Sequence, residues 1–301
     1  MKKGFSGRGK ELVHVLPKDI GIIDTMLGIP SREDRQDWYE SFKPLLKDEE
    51  SRQLFSMPAQ YMFKDIPETN NVDDFVKWTV ENLDRHNIET ALVGFNPDGT
   101  SEAATKNFPG RFAFEAPADP NGGMSEVRRL KTLKEEHDIK AVSVFPAGTF
   151  PQVAINDREM YPIYAACVEM DVPIILNVGV PGPRIPLQTQ KVEHLDDVCW
   201  FFPELKVVMR HGAEPWEDLA IKLMLKYPNL YYSTSAFAPK YYPQAIIDYA
   251  NKRGSEKIIY GGYFPMGLSL DRIFSDMENV PLNENVWPKF LRENAKRVFK
   301  I

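Results

Sequence analysis

The chain lacks most of what would mark it as secreted, membrane-spanning or nucleic-acid-binding. Only two cysteines, Cys167 and Cys199, are present in 301 residues, each inside an amphipathic helical stretch. Two thiols cannot build a disulfide framework, and two buried, reduced cysteines are expected. No run reaches the roughly 18 apolar residues that span a bilayer. The basic start MKKGFSGRGKELVHVLP has no apolar core and no small-residue cleavage site, so the expected location is the cytoplasm. Net charge is −6 and the pI is near 5.5, which opposes a phosphate-backbone partner. There is no phosphate-loop spacing and no Gly-x-Ser-x-Gly elbow. A small-molecule partner is what these absences leave.

What is present is a regular alternation of elements. Short β-branched runs alternate with helical stretches of about three turns, the pattern of a parallel sheet covered by helices. Strands are expected at Ile20–Thr25, Ile88–Phe95, Arg111–Ala116, Ile139–Phe145, Val172–Val178, Leu205–Arg210, Leu230–Ser233 and Lys257–Tyr260. Runs such as IKAVSVF and VPIILNV are apolar throughout, so both faces of each strand are buried. Eight such strands predict an α/β fold closed as a (β/α)₈ TIM barrel, one domain over residues 1–301. Val72, Phe75, Val76, Thr79, Val80 and Leu83 recur at helical spacing behind Asn70 or Asn71 as cap. Pro215 is placed in the first turn of the helix in PWEDLAIKLMLK. A last helix is expected over Asn285–Phe299.

One connection breaks the rhythm. Residues 1–18 read as an N-terminal arm, but Met26–Asn71, the link from strand 1 to the first long helix, is rich in charge, aromatics and proline. In a barrel it lies on the catalytic face, and a long insertion there is a lid or a subunit contact. Trp38, Phe42, Tyr61 and Phe63 supply it with apolar docking area.

The strand ends bring Asp24, Glu115, Asn177, Arg210 with His211, and Tyr263 to that face, and Arg184 lies in the loop after strand 5. Alternation along strand 6 predicts that if His211 enters the mouth, Arg210 turns towards the helices. His14, His86, His137 and His194 fall in the arm or on helices and read as surface residues.

From about Lys140 onward the stretches KAVSVFPAG, YPIYAACVEMDVPIILNVG, FFPELKVVMRHGAEPWEDLAIKLMLKYPNLYYSTS, KIIYGGYFP and ENAKRVFKI resemble the amidohydrolase-related family of metal-dependent barrels. This is the branch that contains aminocarboxymuconate-semialdehyde and resorcylate decarboxylases. The resemblance implies a strand-1 motif Asp-x-His-x-His, where this chain reads DTMLG and keeps Asp24 but has Met26 and Gly28. It further implies that Asn177 stands for a strand-5 ligand histidine, that His211 keeps the strand-6 one, and that Tyr263 replaces the strand-8 aspartate. Thioether and glycine do not substitute for histidine on a hard or borderline ion, so no cofactor is expected, unless Asp24, His211 and Tyr263 form a new metal site. The family habit also implies a homodimer.

On this reading His211 is the general acid or base, with its ordinary pKa near 6.5, and Tyr263 donates a proton or steadies an enolate. Asn177 supplies an amide, Arg184 anchors a carboxylate, Asp24 orients His211 or Arg184, and Glu115 and Arg210 complete the binding surface. The expected activity is metal-independent hydrolysis of a small, carboxylate-bearing compound. Decarboxylation by the same family machinery, and a non-catalytic descendant that binds a ligand or partner, stand as alternatives.

Overall fold

The computed structural model describes residues 16–30, 43–53, 59–64 and 66–301. Eight parallel strands follow one another round a single sheet: β1 (Ile22–Leu27), β2 (Ile88–Gly94), β3 (Phe112–Pro117), β4 (Ala141–Val144), β5 (Ile174–Asn177), β6 (Val207–Arg210), β7 (Leu230–Ser233) and β8 (Ile258–Ile259). The end of β8 returns to β1 through Thr25 N–H to the Tyr260 carbonyl, 3.3 Å, and Gly28 N–H to that of Phe264, 2.9 Å. The fold is the (β/α)₈ barrel that the apolar runs predicted.

The helices lie outside: α1 (Phe75–Arg85), α2 (Thr100–Asn107), α3 (Gly123–His137), α4 (Tyr161–Glu169), α5 (His194–Phe201), α6 (Glu217–Lys226), α7 (Gln244–Ala250) and α8 (Leu270–Met277). A terminal α9 (Asn294–Phe299) follows a wider turn at Lys289–Glu293. The cap of α1 is Asp74 rather than Asn70 or Asn71, because its carboxylate accepts the Lys77 N–H at 2.9 Å. Pro215 sits ahead of α6 and outside its first turn. No helix among the described residues is long and apolar enough to cross a membrane.

One side chain from each strand fills the barrel axis: Ile23, Leu92, Ala113, Ala141, Ile175, Val208, Tyr231 and Ile259. Ala295, Val298 and Phe299 of α9 pack on this layer. Side chains alternate along a strand, so the next inward layer towards the C-terminal ends is Thr25, Gly94, Glu115, Ser143, Asn177, Arg210, Ser233 and Gly261. The lower layer is apolar and the upper one is polar. The site is therefore set by register before any loop is considered.

Cys167 and Cys199 are buried and unbridged, and burial pushes the Cys199 thiol up to about 12. His86, His137 and His194 are half-buried instead of surface-exposed. His86 is sandwiched against Phe274 with ring centroids 5.0 Å apart, and His137 lies 4.5 Å from Phe95. His14, Trp38 and Phe42 lie outside the described residues.

Candidate active site

The upper layer opens into a cavity of about 1430 Å³ at the C-terminal ends of the strands. Its walls include Phe63, Phe145 and Phe237, and its polar lining includes Glu115, Asn177, Arg210, His211, Glu214 and Tyr263. Five of the seven residues singled out in the sequence thus meet in one place, and Asp24 and Arg184 do not line it.

Arg210 does not turn outward. It is 5% exposed, and its guanidinium crosses the barrel to Glu115, 6% exposed, with Nη1 donating to Oε1 at 2.9 Å and Nη2 to Oε2. The alternation argument misplaced it because it continued the strand through His211. The chain leaves strand geometry there: His211, Gly212 and Ala213 have φ of 68°, 97° and 58°. Left-handed backbone at two non-glycine residues is costly, and it turns His211 back over the mouth, so that both residues face the cavity. Gly212 is obligatory, since a Cβ would stand 2.5 Å from the Phe237 ring.

Ser235 positions His211. Its hydroxyl accepts the His211 backbone N–H at 3.2 Å and lies 3.1 Å from Nδ1. The Ser235 backbone also takes a hydrogen bond from the imidazole, so the ring is held against Ser235 by both backbone and side chain. Burial, aided by the Arg210 cation, pushes the His211 pKa down to about 3. The titrating acid or base expected from the sequence is thus corrected to a ring that stays neutral. Tyr263 packs against it edge-on at 5.5 Å, and burial pushes its phenol up to about 12, so it too stays protonated.

Asp24, with no exposed surface, points away from the axis. Its Oδ1 accepts the N–H groups of Met26 at 2.9 Å and Gly262 at 2.8 Å. It pins the end of β8, one residue before Tyr263, to β1. A side chain at Gly262 would place Cβ 2.5 Å from Asp24 Oδ2, so glycine is required. Burial raises the Asp24 pKa to about 6, against the lowering effect of these two N–H groups and the Tyr260 hydroxyl.

The two buried groups make opposite pH predictions. Folded Asp24 takes up its proton below about pH 6 and the unfolded chain only below 3.8. Its contribution is therefore fully present below 3.8 and lost as pH rises through 6, about 3 kcal/mol in all. His211 takes its proton near pH 6.5 when unfolded and near 3 when folded, so its contribution is lost as pH falls through that window. In thermal unfolding from pH 4 to 7, Asp24→Asn gains on the wild type as pH rises, and His211→Asn gains as pH falls. Parallel curves for all three proteins would refute both assignments.

Arg184, expected to anchor a carboxylate of the substrate, is engaged elsewhere. Nη1 donates to Asp48 at 3.0 Å and Glu50 at 2.9 Å, Nη2 reaches Glu50 at 3.2 Å, and the guanidinium lies 4.5 Å from the Tyr61 ring centre. The Tyr61 hydroxyl donates to the Gly182 carbonyl at 2.5 Å. Together these contacts tie the β1 insertion to the loop after β5, and Ala59, Met62, Phe63 and Lys64 of that insertion line the cavity. Arg184 is a latch. Arg184→Ala accelerates limited proteolysis within residues 43–64 several-fold and hardly moves the melting temperature, because exposed ion pairs add little to global stability. Unchanged cleavage would remove the latch.

Glu214 escaped the sequence reading. The only signal was a carboxylate three residues beyond His211 in HGAEP. It lines the cavity, and burial followed by the Glu217 charge raises its pKa.

A family model described as Amidohydrolase matches residues 28–301. No curated protein matches. Among solved structures, an uncharacterised barrel protein from Bordetella bronchiseptica is 21% identical, with TM-score 0.70 over 93% of this chain and 98% of its own. 5-Carboxyvanillate decarboxylase from Novosphingobium aromaticivorans, with bound manganese and a methoxy-hydroxy-nitrobenzoic acid, is 15% identical, TM-score 0.68, over 94% and 98%. Dihydroxybenzoic acid decarboxylase from Polaromonas, with manganese and 2-nitroresorcinol, is 17% identical, TM-score 0.63, over 93% and 97%. At these identities the likeness is one of fold.

The manganese in these neighbours overturns the expectation that this chain has no cofactor, and that expectation is withdrawn. The side chains of this chain fit such an ion poorly. Among the described residues no three His, Cys, Asp or Glu stand close enough to hold one, and Asp24 does not line the cavity that His211 and Tyr263 share. Glu115 is committed to Arg210, whose positive charge opposes a cation beside it. No step below is routed through a metal.

Proposed function

The chain belongs to the amidohydrolase family, and from that premise we propose that it is a lyase that decarboxylates a small hydroxylated aromatic acid. The observation that carries this reading is the pairing of two neutral polar groups, the His211 imidazole and the Tyr263 hydroxyl, in a cavity walled by Phe63, Phe145 and Phe237. The reading puts the imidazole proton on the nitrogen that meets the ligand. It takes support from the aromatic acids named with the two decarboxylases. Hydrolysis, placed first on the sequence, gives way to it.

In the proposed reaction the bond between the ring and the carboxylate carbon breaks and CO₂ leaves. The carbon that bears the carboxylate is protonated first, as the ortho hydroxyl gives up its proton and becomes a ring carbonyl. When the C–C bond breaks, its electron pair flows onto that carbonyl oxygen, where His211, Tyr263 and the Asn177 amide act as an oxyanion site, and the phenolate then takes a proton back. Apolar walls favour loss of the charged carboxylate as a neutral gas. The one proton the ring carbon gains, before CO₂ leaves, comes from Glu214, whose pKa burial raises. Arg210, its charge matched by Glu115, presents a fixed dipole at the inner end.

The test is turnover of hydroxybenzoates in deuterium oxide, with and without added manganese, followed by mass spectrometry. Loss of CO₂ with one deuterium at the vacated carbon is expected. Binding without product under both conditions would replace the lyase by the non-catalytic alternative.

A further inference from the structure

Charge is distributed unevenly around the cavity. Its cationic lining residues are Lys64, Arg210 and Arg272. Arg210 is neutralised by Glu115, and the nearby Arg129 and Arg184 are likewise held by carboxylates. Lys64 and Arg272 differ: among the described residues neither has a carboxylate within ion-pair distance, and the one hydrogen bond of the Arg272 guanidinium goes to the Lys64 carbonyl at 3.4 Å. In a chain of net charge −6, where other arginines round the mouth are paired, two cavity-lining cations with no carboxylate partner among the described residues are an exception.

Their placement relative to the inner donors is defined. Phe63, the neighbour of Lys64, packs on Tyr263 with ring centres 5.3 Å apart, and Gly267, which would clash with both rings if it carried a side chain, keeps them together. Arg272 is held in the first turn of α8, where its N–H is capped by Ser269. The cation pair therefore stands on the β8 side of the mouth, outward of Tyr263. The carboxylates Asp119, Glu126 and Glu214 line the cavity from the β3 and β6 loops.

We propose that Lys64 and Arg272 form a carboxylate subsite, so that the preferred ligand is an aromatic acid carrying a second carboxylate. One end meets His211 and Tyr263, the ring lies along Phe63, and the distal carboxylate meets the cations. The Arg272 fork suits a planar carboxylate, and Lys64 adds a point charge. This assignment rests on the cavity being the ligand site of the proposed lyase.

The experiment is calorimetric binding of benzoate, isophthalate and terephthalate to the whole protein at low ionic strength. At least one dicarboxylate binds about tenfold more tightly than benzoate. Arg272→Gln and Lys64→Gln reduce that ratio towards one and leave benzoate unaffected, while Arg272→Lys retains part of it. Equal affinity of all three probes in the wild type, or a ratio that survives both glutamine variants, would overturn the subsite while leaving the lyase reading intact. Failure of every probe to bind overturns both. Dicarboxylate binding that depends on Arg272, with no benzoate binding, supports the subsite and counts against the inner site.

Discussion

His211→Asn lowers kcat/KM for an aromatic acid substrate about 100-fold to 1000-fold, the range for loss of a preorganised donor at a developing oxyanion. Asparagine is the informative replacement because it tolerates left-handed backbone, so the turn at φ 68° survives while the imidazole is lost. The pH profile separates a neutral donor from a titrating base. An imidazole held near pKa 3 by burial and Arg210 is uncharged across the working range, so the acid limb of the wild type shows no ionisation near 6.5. Tyr263→Phe acts in the same direction, and the two losses do not add, because the two groups serve one oxygen. Wild-type turnover in His211→Asn would remove the oxyanion site. So would an acid limb near 6.5 that disappears in that variant.

Arg210→Met and Glu115→Gln each destabilise the protein by about 3–5 kcal/mol in urea unfolding, the usual cost of leaving one member of a buried ion pair uncompensated. Both residues are almost wholly buried and their contact is bidentate. Restoring two alcohols or amides would not repair this, but removing both charges does: Arg210→Met with Glu115→Leu recovers most of the loss, because apolar replacements carry no desolvation cost. The double variant is stable yet lacks the field at the inner end, so it uncouples folding from activity. A loss below 1 kcal/mol for Glu115→Gln would show that the pair is solvated in solution.

Much of the frame could be read in advance for a simple reason. A parallel strand buried on both faces must be apolar along its length, so all eight strands were visible, with errors of a few residues at their ends. The C-terminal ends of those strands then had to carry the site, which brought Glu115, Asn177, Arg210, His211 and Tyr263 into view. Errors arose wherever a side chain's role depends on a partner far along the chain. Glu115 lies 95 residues from Arg210, and Arg184 lies 136 from Asp48. Neither separation leaves a periodic trace. The ordinary pKa assigned to His211 failed for the same reason, since burial is a property of the assembled mouth. Glu214 was missed because it sits beyond the strand, where alternation says nothing.

Local chemistry therefore decided which strands and helices form, their order round the barrel, and which end bears polar groups, because each follows from neighbours within a few residues. The tertiary structure alone decided what those polar groups are: an arginine quenched across the axis, a histidine kept neutral, an arginine diverted to a latch, and two cations with no carboxylate partner among the described residues. Charge and proton affinity depend on solvent exclusion and on groups a few ångströms away in space, and folding, not adjacency in the chain, brings those together.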